Sequence, residues 1–466
     1  MSEALLTRAE QIVGAQHVLT TAELTASYLT DWRGNFKGRA IAVVRPAHSN
    51  EVAALVALCA QTRTPVVPQG GNTGLVGGAT PDNSGSALVI SLARLNRIRT
   101  IDTANNALVA EAGVTLQSVQ EAASAANRLF PLSLASEGTC TIGGNLSTNA
   151  GGTAVLRYGN ARDLVLGIEA VLPDGRIWNG LKALRKDNTG YDLKHLFMGA
   201  EGTLGVITAA SLKLFARPQS GATAVMAVPS PASAVELLSR LRGALGDRVT
   251  GFELMSQRCL AILSKHFAAI PIPFGNTHPW QVLLELTDTL PNAPLADLLA
   301  VALESAFEAG QAVDAVIAQS QTQAKALWQI RETIPEAERL EGKSVKHDIA
   351  VPVSRIADFI VRADAALASA FPDAQVICFG HLGDGNLHYN LSFPGAAPSP
   401  EQSARANQIV YALVDALEGS ISAEHGLGQL KREEITRHKS AVERDTMRAI
   451  KRALDPLGIM NPGKVV

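Results

Sequence analysis

Glycine is gathered into a few clusters along this chain, and these clusters constrain the fold more than any other feature. The 39 glycines among 466 residues exceed the usual share of about 7%. The first cluster, Pro68-Gln-Gly-Gly-Asn-Thr-Gly-Leu-Val-Gly-Gly78, follows a short β-prone run. Successive glycines let several N–H groups converge on one point, a nest that binds an anion without side-chain charge. No Lys-Ser/Thr pair follows, so this is not a Walker A loop. No strand leads into G-x-G-x-x-G either, which removes support for a nicotinamide cofactor. A surface turn has the same composition. Three further segments argue against that bland reading: Ser136–Gly152, Leu156-Arg-Tyr-Gly159, and Gly190–Thr208 with its Gly-Ala-Glu-Gly-Thr-Leu-Gly core. Small residues over such lengths allow a flat ligand and its pyrophosphate to lie against main chain.

Hydrophobic residues at 47% and charged residues at 18% exclude a disordered chain. At roughly 100–200 residues per domain, the length implies two or more domains. Forty-one Lys+Arg against 43 Asp+Glu give a net charge of −2, so there is no basic surplus for nucleic acid. Cys59, Cys140, Cys259 and Cys378 are too scattered for a disulfide frame or a cysteine zinc site, which fits a reducing cytoplasm. The first ten residues carry Glu3 and Glu10 and no apolar core, and read as neither a secretory signal nor a transit peptide. No run approaches the ~18 apolar residues that span a bilayer, so no integral membrane protein is expected. The longest, Val52–Ala60, reads as an amphipathic helix burying Val52, Leu55, Val56 and Cys59.

Residues 1–40 read as a helical lead-in. Residues 41–218 alternate strands, glycine loops and two helical patterns, with helices over 51–61 and 115–128 and a hairpin at Pro173-Asp174-Gly175. Separate strands are expected at 205–208 and 212–215. Residues 219–400 carry three strand–helix–strand units, an α+β arrangement with an antiparallel sheet covered by helices on one face. Long helices are expected at 320–340, ending near 330–338, and at 401–418, and Lys346 opens a strand over 346–352. Residues 401–466 form a C-terminal helical segment, its tail 432–454 a solvated surface helix stopped by Pro456.

A second site lies in Gly380-His-Leu-Gly-Asp-Gly-Asn-Leu-His-Tyr-Asn390. The Gly-Asp-Gly core reads as a tight loop between strands, and His388 and Asn390 share a strand face. Ser422-Ala-Glu-His-Gly-Leu-Gly428 places Glu424 and His425 in a loop. Two histidines and a carboxylate form an open metal site with positions left for substrate. Histidines that merely satisfy hydrogen bonds around a turn are the bland alternative.

The four glycine-rich motifs together closely resemble the FAD-binding half of the vanillyl-alcohol-oxidase/PCMH flavoprotein superfamily, within it the branch of FAD-linked 2-hydroxy acid dehydrogenases. The resemblance runs from about residue 40 to Asn461-Pro-Gly-Lys464. It implies a PCMH-type FAD-binding domain followed by the α+β substrate domain, with residues 401–466 returning to the FAD domain. By carry-over Gly70, Gly71, Asn72, Thr73 and Gly74 cradle the FAD pyrophosphate, while Gly138, Thr141, Gly143, Gly144, Asn149, Glu201, Gly202, Ile207 and Asn461 contact the rest of the cofactor. Some relatives tether FAD through a histidine near the first loop. Asn72 and the absence of histidine there imply a non-covalent flavin. His381, His388 and Glu424 match the family's metal motif, His425 its catalytic base and Asn390 a substrate contact. Zinc is the first expectation, and manganese and iron share its ligand types.

Arg331 and Lys346 fall in the family's substrate region. Alone they read as a solvated helix residue and a strand-edge lysine. Their pairing resembles D-2-hydroxyglutarate dehydrogenases, in which an arginine and a lysine at this spacing grip the distal carboxylate. One departure is Pro335, where those enzymes carry a substrate-binding threonine; proline supplies no hydroxyl and should bend the helix. The expected activity is FAD- and metal-dependent oxidation of a D-2-hydroxy acid, D-2-hydroxyglutarate first, with D-lactate or D-malate as rivals. A metal-dependent hydrolase and a non-catalytic flavin subunit are the readings from other classes. An electron-transfer flavoprotein or a quinone is the expected electron acceptor, and a homodimer is expected from the resemblance.

Overall fold

The computed structural model describes residues 2–275 and 277–466, so Met1 of the expected lead-in and Asn276 lie outside it. Two compact units emerge among the described residues: one runs up to Gly152 and includes Gly159–Arg217 and Glu424–Val466, and the other comprises Thr153–Tyr158 and Pro218–Ala423.

In the first unit, Ala42–Val44, Leu88–Ser91 and Val66–Gln69 form parallel neighbours of a four-stranded sheet completed by Val18–Leu19. Helix Ser49–Thr62 connects two of these strands and buries Val52, Leu55, Val56 and Cys59 completely, as its periodicity predicts. The Cys59 thiol is accordingly pushed up to about 12 by burial. His48 caps the helix start, and Arg63 ends it in the left-handed conformation. The C-terminal tail returns to this sheet: Val66 donates to Ile459, and Asn461 donates back to Val66.

A five-stranded antiparallel sheet follows, with Ala107–Glu111, Val206–Lys213 and Val165–Val171 at its centre. The expected hairpin is present, Val171 opposite Ile177. The two strands expected at 205–208 and 212–215 are instead one, Val206–Lys213, because its whole middle is buried and pairs on both edges. The helix expected over 115–128 stops at Ala125, since Arg128–Leu129 is recruited as a strand against Phe215–Ala216. The segment 136–152 is not all loop: Ile142–Thr148 is a short helix, its Gly143 tucked so close to Ala112 that a Cβ would lie 2.7 Å from the alanine methyl.

The second unit is an antiparallel sheet of eight strands, its central neighbours being Trp280–Asp288, Val249–Ser256, Gln375–His381 and Asn386–Ser392. Helices cover both faces, not one. Helices Pro231–Leu245, Leu295–Glu308, Ile356–Ala370 and Pro400–Ala416 pack against Ala224, Met226, Leu284 and Tyr389. Helices Gln257–His266 and Gln321–Glu341 pack against Val225, Met255, Leu283 and Phe379 from the other side. Strand residues alternate between the two cores because successive side chains point to opposite faces. Helix Pro400–Ala416 belongs to this unit, since it buries Ala406, Val410, Tyr411 and Val414 in that core; the chain leaves the unit at 423, not 400.

Helix Gln321–Glu341 matches the long helix expected at 320–340 and continues through Pro335. The missing N–H removes one helical bond, but Leu327, Ile330, Ile334 and Ala337 hold both halves on the sheet. The tail expected as one solvated helix over 432–454 is divided: Ile435–His438 is a short helix with Ile435 buried, and Ala441–Leu454 is a surface helix with no buried residue.

Candidate active site

The strand Val66–Gln69 delivers the first glycine cluster to an open cleft in the first unit. Gly70, Gly71, Asn72, Thr73, Gly74, Thr141, Gly143, Gly144, Glu201, Gly202 and Ile207 all line it, and so does His425. The glycines are needed for close approach. A Cβ on Gly71 would lie 2.1 Å from the carbonyl oxygen of Thr139, and one on Gly70 would lie 2.4 Å from Thr141 Oγ1. Asn72 sits at φ 53 and donates to the carbonyls of Ser27 and Thr30, which pins the loop. Thr141 Oγ1 is buried and has no hydrogen-bond partner among the described residues. A cradle that excludes Cβ atoms lets a ligand approach the main chain closely.

Three expected cofactor residues do not line the cleft. Gly138 lies in the turn before it, Asn149 caps helix Ile142–Thr148 and accepts from Arg162 N–H at 2.9 Å, and Asn461 donates to the carbonyls of Gly78 and Glu201. Glu201 lines the cleft, yet its carboxylate accepts the N–H groups of Leu427 and Gly428 at 2.8 and 2.9 Å. Burial raises its pKa, and those two N–H groups and Lys431 oppose the shift. Glu201 thereby clamps the turn just after His425 against the cleft. The Glu424 carboxylate, one residue earlier, accepts Gly152 N–H at 2.7 Å.

The second unit holds the histidine motif. Strands Gln375–His381 and Asn386–Ser392 are joined through Leu382–Asp384 and Gly385, which has φ 89 and no room for a Cβ, since Val351 O would lie 2.2 Å away. The His381 and His388 rings stand 6.0 Å apart, and His388 pairs in register with Asp348. Ala423 donates its N–H to Asp348 O, and Glu424 and His425 follow in the chain.

Arg331 is not on a solvated face. It is 7% exposed, its guanidinium lies over the Phe379 ring at 4.7 Å, and its Nε donates to Glu253 at 2.8 Å. The other Glu253 oxygen lies 2.5 Å from His381 Nδ1. Burial alone would raise the Glu253 pKa, but the neighbouring His381 and Arg331 hold its carboxyl well below the usual range. Lys346 does not open a strand either. It lies in the break between Ser344–Val345 and Asp348–Ala350, where its Nζ pairs with Glu338 at 2.6 Å. Glu338 also accepts from Asn390 Nδ2 at 2.9 Å and from Ser344 at 2.8 Å, while Asn390 Oδ1 accepts the N–H of His347. The break arises because the buried His347 bonds the Tyr389 carbonyl and Asn407 through its two ring nitrogens.

Sequence reasoning missed both carboxylates. Glu253 is a lone acid in the apolar run Gly251-Phe-Glu-Leu-Met255, and Glu338 follows Arg331 by two helical turns inside the stripe Leu327, Ile330, Ile334, Ala337. A charge interleaved with buried positions was the available signal, because charged groups are rarely buried unless paired.

Residues 217–465 match the family model "FAD linked oxidases, C-terminal domain", and residues 40–180 match "FAD binding domain". A mitochondrial D-2-hydroxyglutarate dehydrogenase of Bos taurus is 37% identical over 467 residues, covering 100% of this chain and 84% of that protein. The D-2-hydroxyglutarate dehydrogenase of Xanthomonas citri pv. viticola is 37% identical over 468 residues, covering 100% and 97%. The chain belongs to the FAD-linked D-2-hydroxyglutarate dehydrogenase family. The two matched domains make FAD the cofactor of this family member. Among solved structures, p-cresol methylhydroxylase with substrate bound superposes with a TM-score of 0.78 at 16% identity, covering 99% of this chain and 96% of that one. This likeness places the family member in the PCMH-type fold. No helix of the described residues is long and apolar enough to cross a membrane.

Proposed function

We propose that the chain oxidises D-2-hydroxyglutarate to 2-oxoglutarate. The observation that carries this substrate is Arg331, a cation buried against Phe379 whose Nη groups make no hydrogen bond among the described residues. A buried guanidinium with free donors suits a carboxylate, and Lys346, one-third exposed, supplies a second cation from the same unit. D-Lactate ends in a methyl group and offers neither cation a partner.

The flavin is held non-covalently, and when bound it supplies the hydride acceptor. His425 faces the flavin cleft and takes the hydroxyl proton, since a neutral imidazole has a pKa near the working pH. His381, His388 and Glu424 hold a divalent metal, zinc in the first instance. The close pair of histidine rings supports this reading, as does the carboxylate on His381 Nδ1, the usual partner of a metal-binding imidazole. Such a metal would orient the C2 hydroxyl and adjacent carboxylate. Asn390 has a donor and an acceptor committed to Glu338 and His347, so its contribution to substrate is limited to what remains. Electrons leave to an electron-transfer flavoprotein or a quinone.

Anaerobic bleaching of the flavin absorbance by a panel of D- and L-2-hydroxy acids tests the assignment. D-2-Hydroxyglutarate is expected to bleach fastest, with D-malate slower because its distal carboxylate falls short by one methylene. Lys346→Ala should lose this preference while still oxidising D-lactate at the wild-type level. Equal rates for D-lactate and D-2-hydroxyglutarate in the wild type would refute the distal-carboxylate role, and colourless protein that refuses added FAD would refute the dehydrogenase reading.

A further inference from the structure

We propose that Glu253 is a positioning residue that orients the metal ligand His381 and the substrate-binding Arg331 together. The inference rests on the reaction proposed above and adds to it a residue that lies in neither motif. Glu253 stands in the middle of Val249–Ser256, a strand buried along its entire length. An ionised carboxylate persists there only if both oxygens are matched. They are, by two different groups. Oε2 accepts from Arg331 Nε, and Oε1 faces His381 Nδ1.

The geometry separates this from an ordinary buried ion pair. A carboxylate that merely neutralised Arg331 would commonly take the guanidinium side-on through two parallel bonds. Here one oxygen takes Nε alone, and the Nη groups stay available while the Phe379 ring holds the guanidinium plane. The other oxygen only accepts, so Nδ1 of His381 carries the hydrogen and Nε2 is the nitrogen with a lone pair for a metal. Strand pairing enforces the contact, since Glu253 is directly opposite His381 in the register of Val249–Ser256 against Gln375–His381. The imidazole and the guanidinium are thus oriented by one rigid carboxylate. Loss of Glu253 should disturb metal binding and recognition of the distal carboxylate at once, whereas a residue needed only for folding would lower stability and flavin content instead.

The test uses the full FAD-loaded chain. Glu253→Ala, Glu253→Gln and the reference variant His388→Ala are stripped of metal and titrated with zinc alone against a chromogenic chelator. KM is then measured for D-2-hydroxyglutarate and for D-lactate, with flavin content and Tm as folding controls. His388→Ala is expected to lose tight zinc binding. Glu253→Ala should weaken zinc about 10–100-fold, and Glu253→Gln, which keeps an acceptor for Nδ1, should weaken it less. Both should raise KM for D-2-hydroxyglutarate more than for D-lactate. If His388→Ala loses zinc while both Glu253 variants bind it as wild type does, the positioning role is wrong and the metal site stands. Wild-type zinc affinity in His388→Ala would overturn the metal site itself, and the role of Glu253 with it. Should Glu253→Ala be poor in flavin, Glu253→Gln decides: unchanged zinc affinity and an unchanged KM ratio refute the proposal.

Discussion

Gly71→Ala gives the sharpest test of how the flavin cleft is built. The added Cβ would sit 2.1 Å from Thr139 O, 3.0 Å from Thr139 C and 3.2 Å from Cys140 Cα. All three are main-chain atoms, so no side chain can rotate away, and the loops 70–74 and 138–141 must part by about an ångström to restore ordinary contact. Overpacking of this kind costs about 1–3 kcal/mol. Loop 70–74 and Thr141 line the cleft, so part of the displacement falls on the cleft wall. At 1.4 kcal/mol per tenfold, FAD affinity should fall roughly 10–100-fold. Gly74→Ala is the internal control: it lines the same cleft, its φ is ordinary, and nothing lies within 4 Å of its added Cβ. The assay is the ratio of flavin to protein absorbance after gel filtration, with a thermal shift titration of added FAD. Gly71→Ala should emerge largely colourless and Gly74→Ala yellow. Equal flavin retention in both variants would refute the close-approach argument.

Further outcomes are open to simpler measurements. All four cysteines are buried and unbonded, and burial pushes Cys259, like Cys59, up to about 12; a thiol reagent at pH 8 should label none of them until denaturant is added, and rapid native labelling would contradict this. Lys464 is 2% exposed, and burial, partly opposed by Asp82, lowers its pKa to about 8. Between pH 8 and 10.5 the unfolded chain binds this proton and the folded one does not, so this group makes stability rise with pH. Lys464→Met should therefore be more stable than wild type at pH 7, by up to about 3 kcal/mol, with the advantage shrinking as pH climbs through that window; a difference independent of pH would sink the assignment. Glu201→Leu should keep folding but lower kcat, because the turn after His425 loses the acceptor for Leu427 and Gly428; unchanged turnover would show that the turn is held by other contacts.

Much of the cleft is legible from neighbouring residues. The nest after Val66–Gln69, the helix over 49–62 and the hairpin at 173–175 are local, so periodicity and turn chemistry reach them. The misreadings have a common cause. Ile142–Thr148 looks like loop because its glycines are poor helix formers, yet packing of Gly143 on Ala112 requires them. Asn149 and Asn461 sit in motifs that bind cofactor as a whole, and their own side chains serve the protein's loops.

The amino-acid sequence by itself determined the α+β organisation, the glycine clusters and the histidine motif, because each depends on residues close along the chain, whereas Arg331 and Lys346 stood out only through the family resemblance. Only the tertiary structure decided what those groups face. Glu253 and His381 are 128 positions apart and meet through strand register; Glu338 meets Asn390, 52 positions away, and pairs with Lys346 as well. A buried charge requires an opposite charge within a few ångströms, and which residue supplies it is settled by how strands and helices pack, a relation that no local pattern encodes.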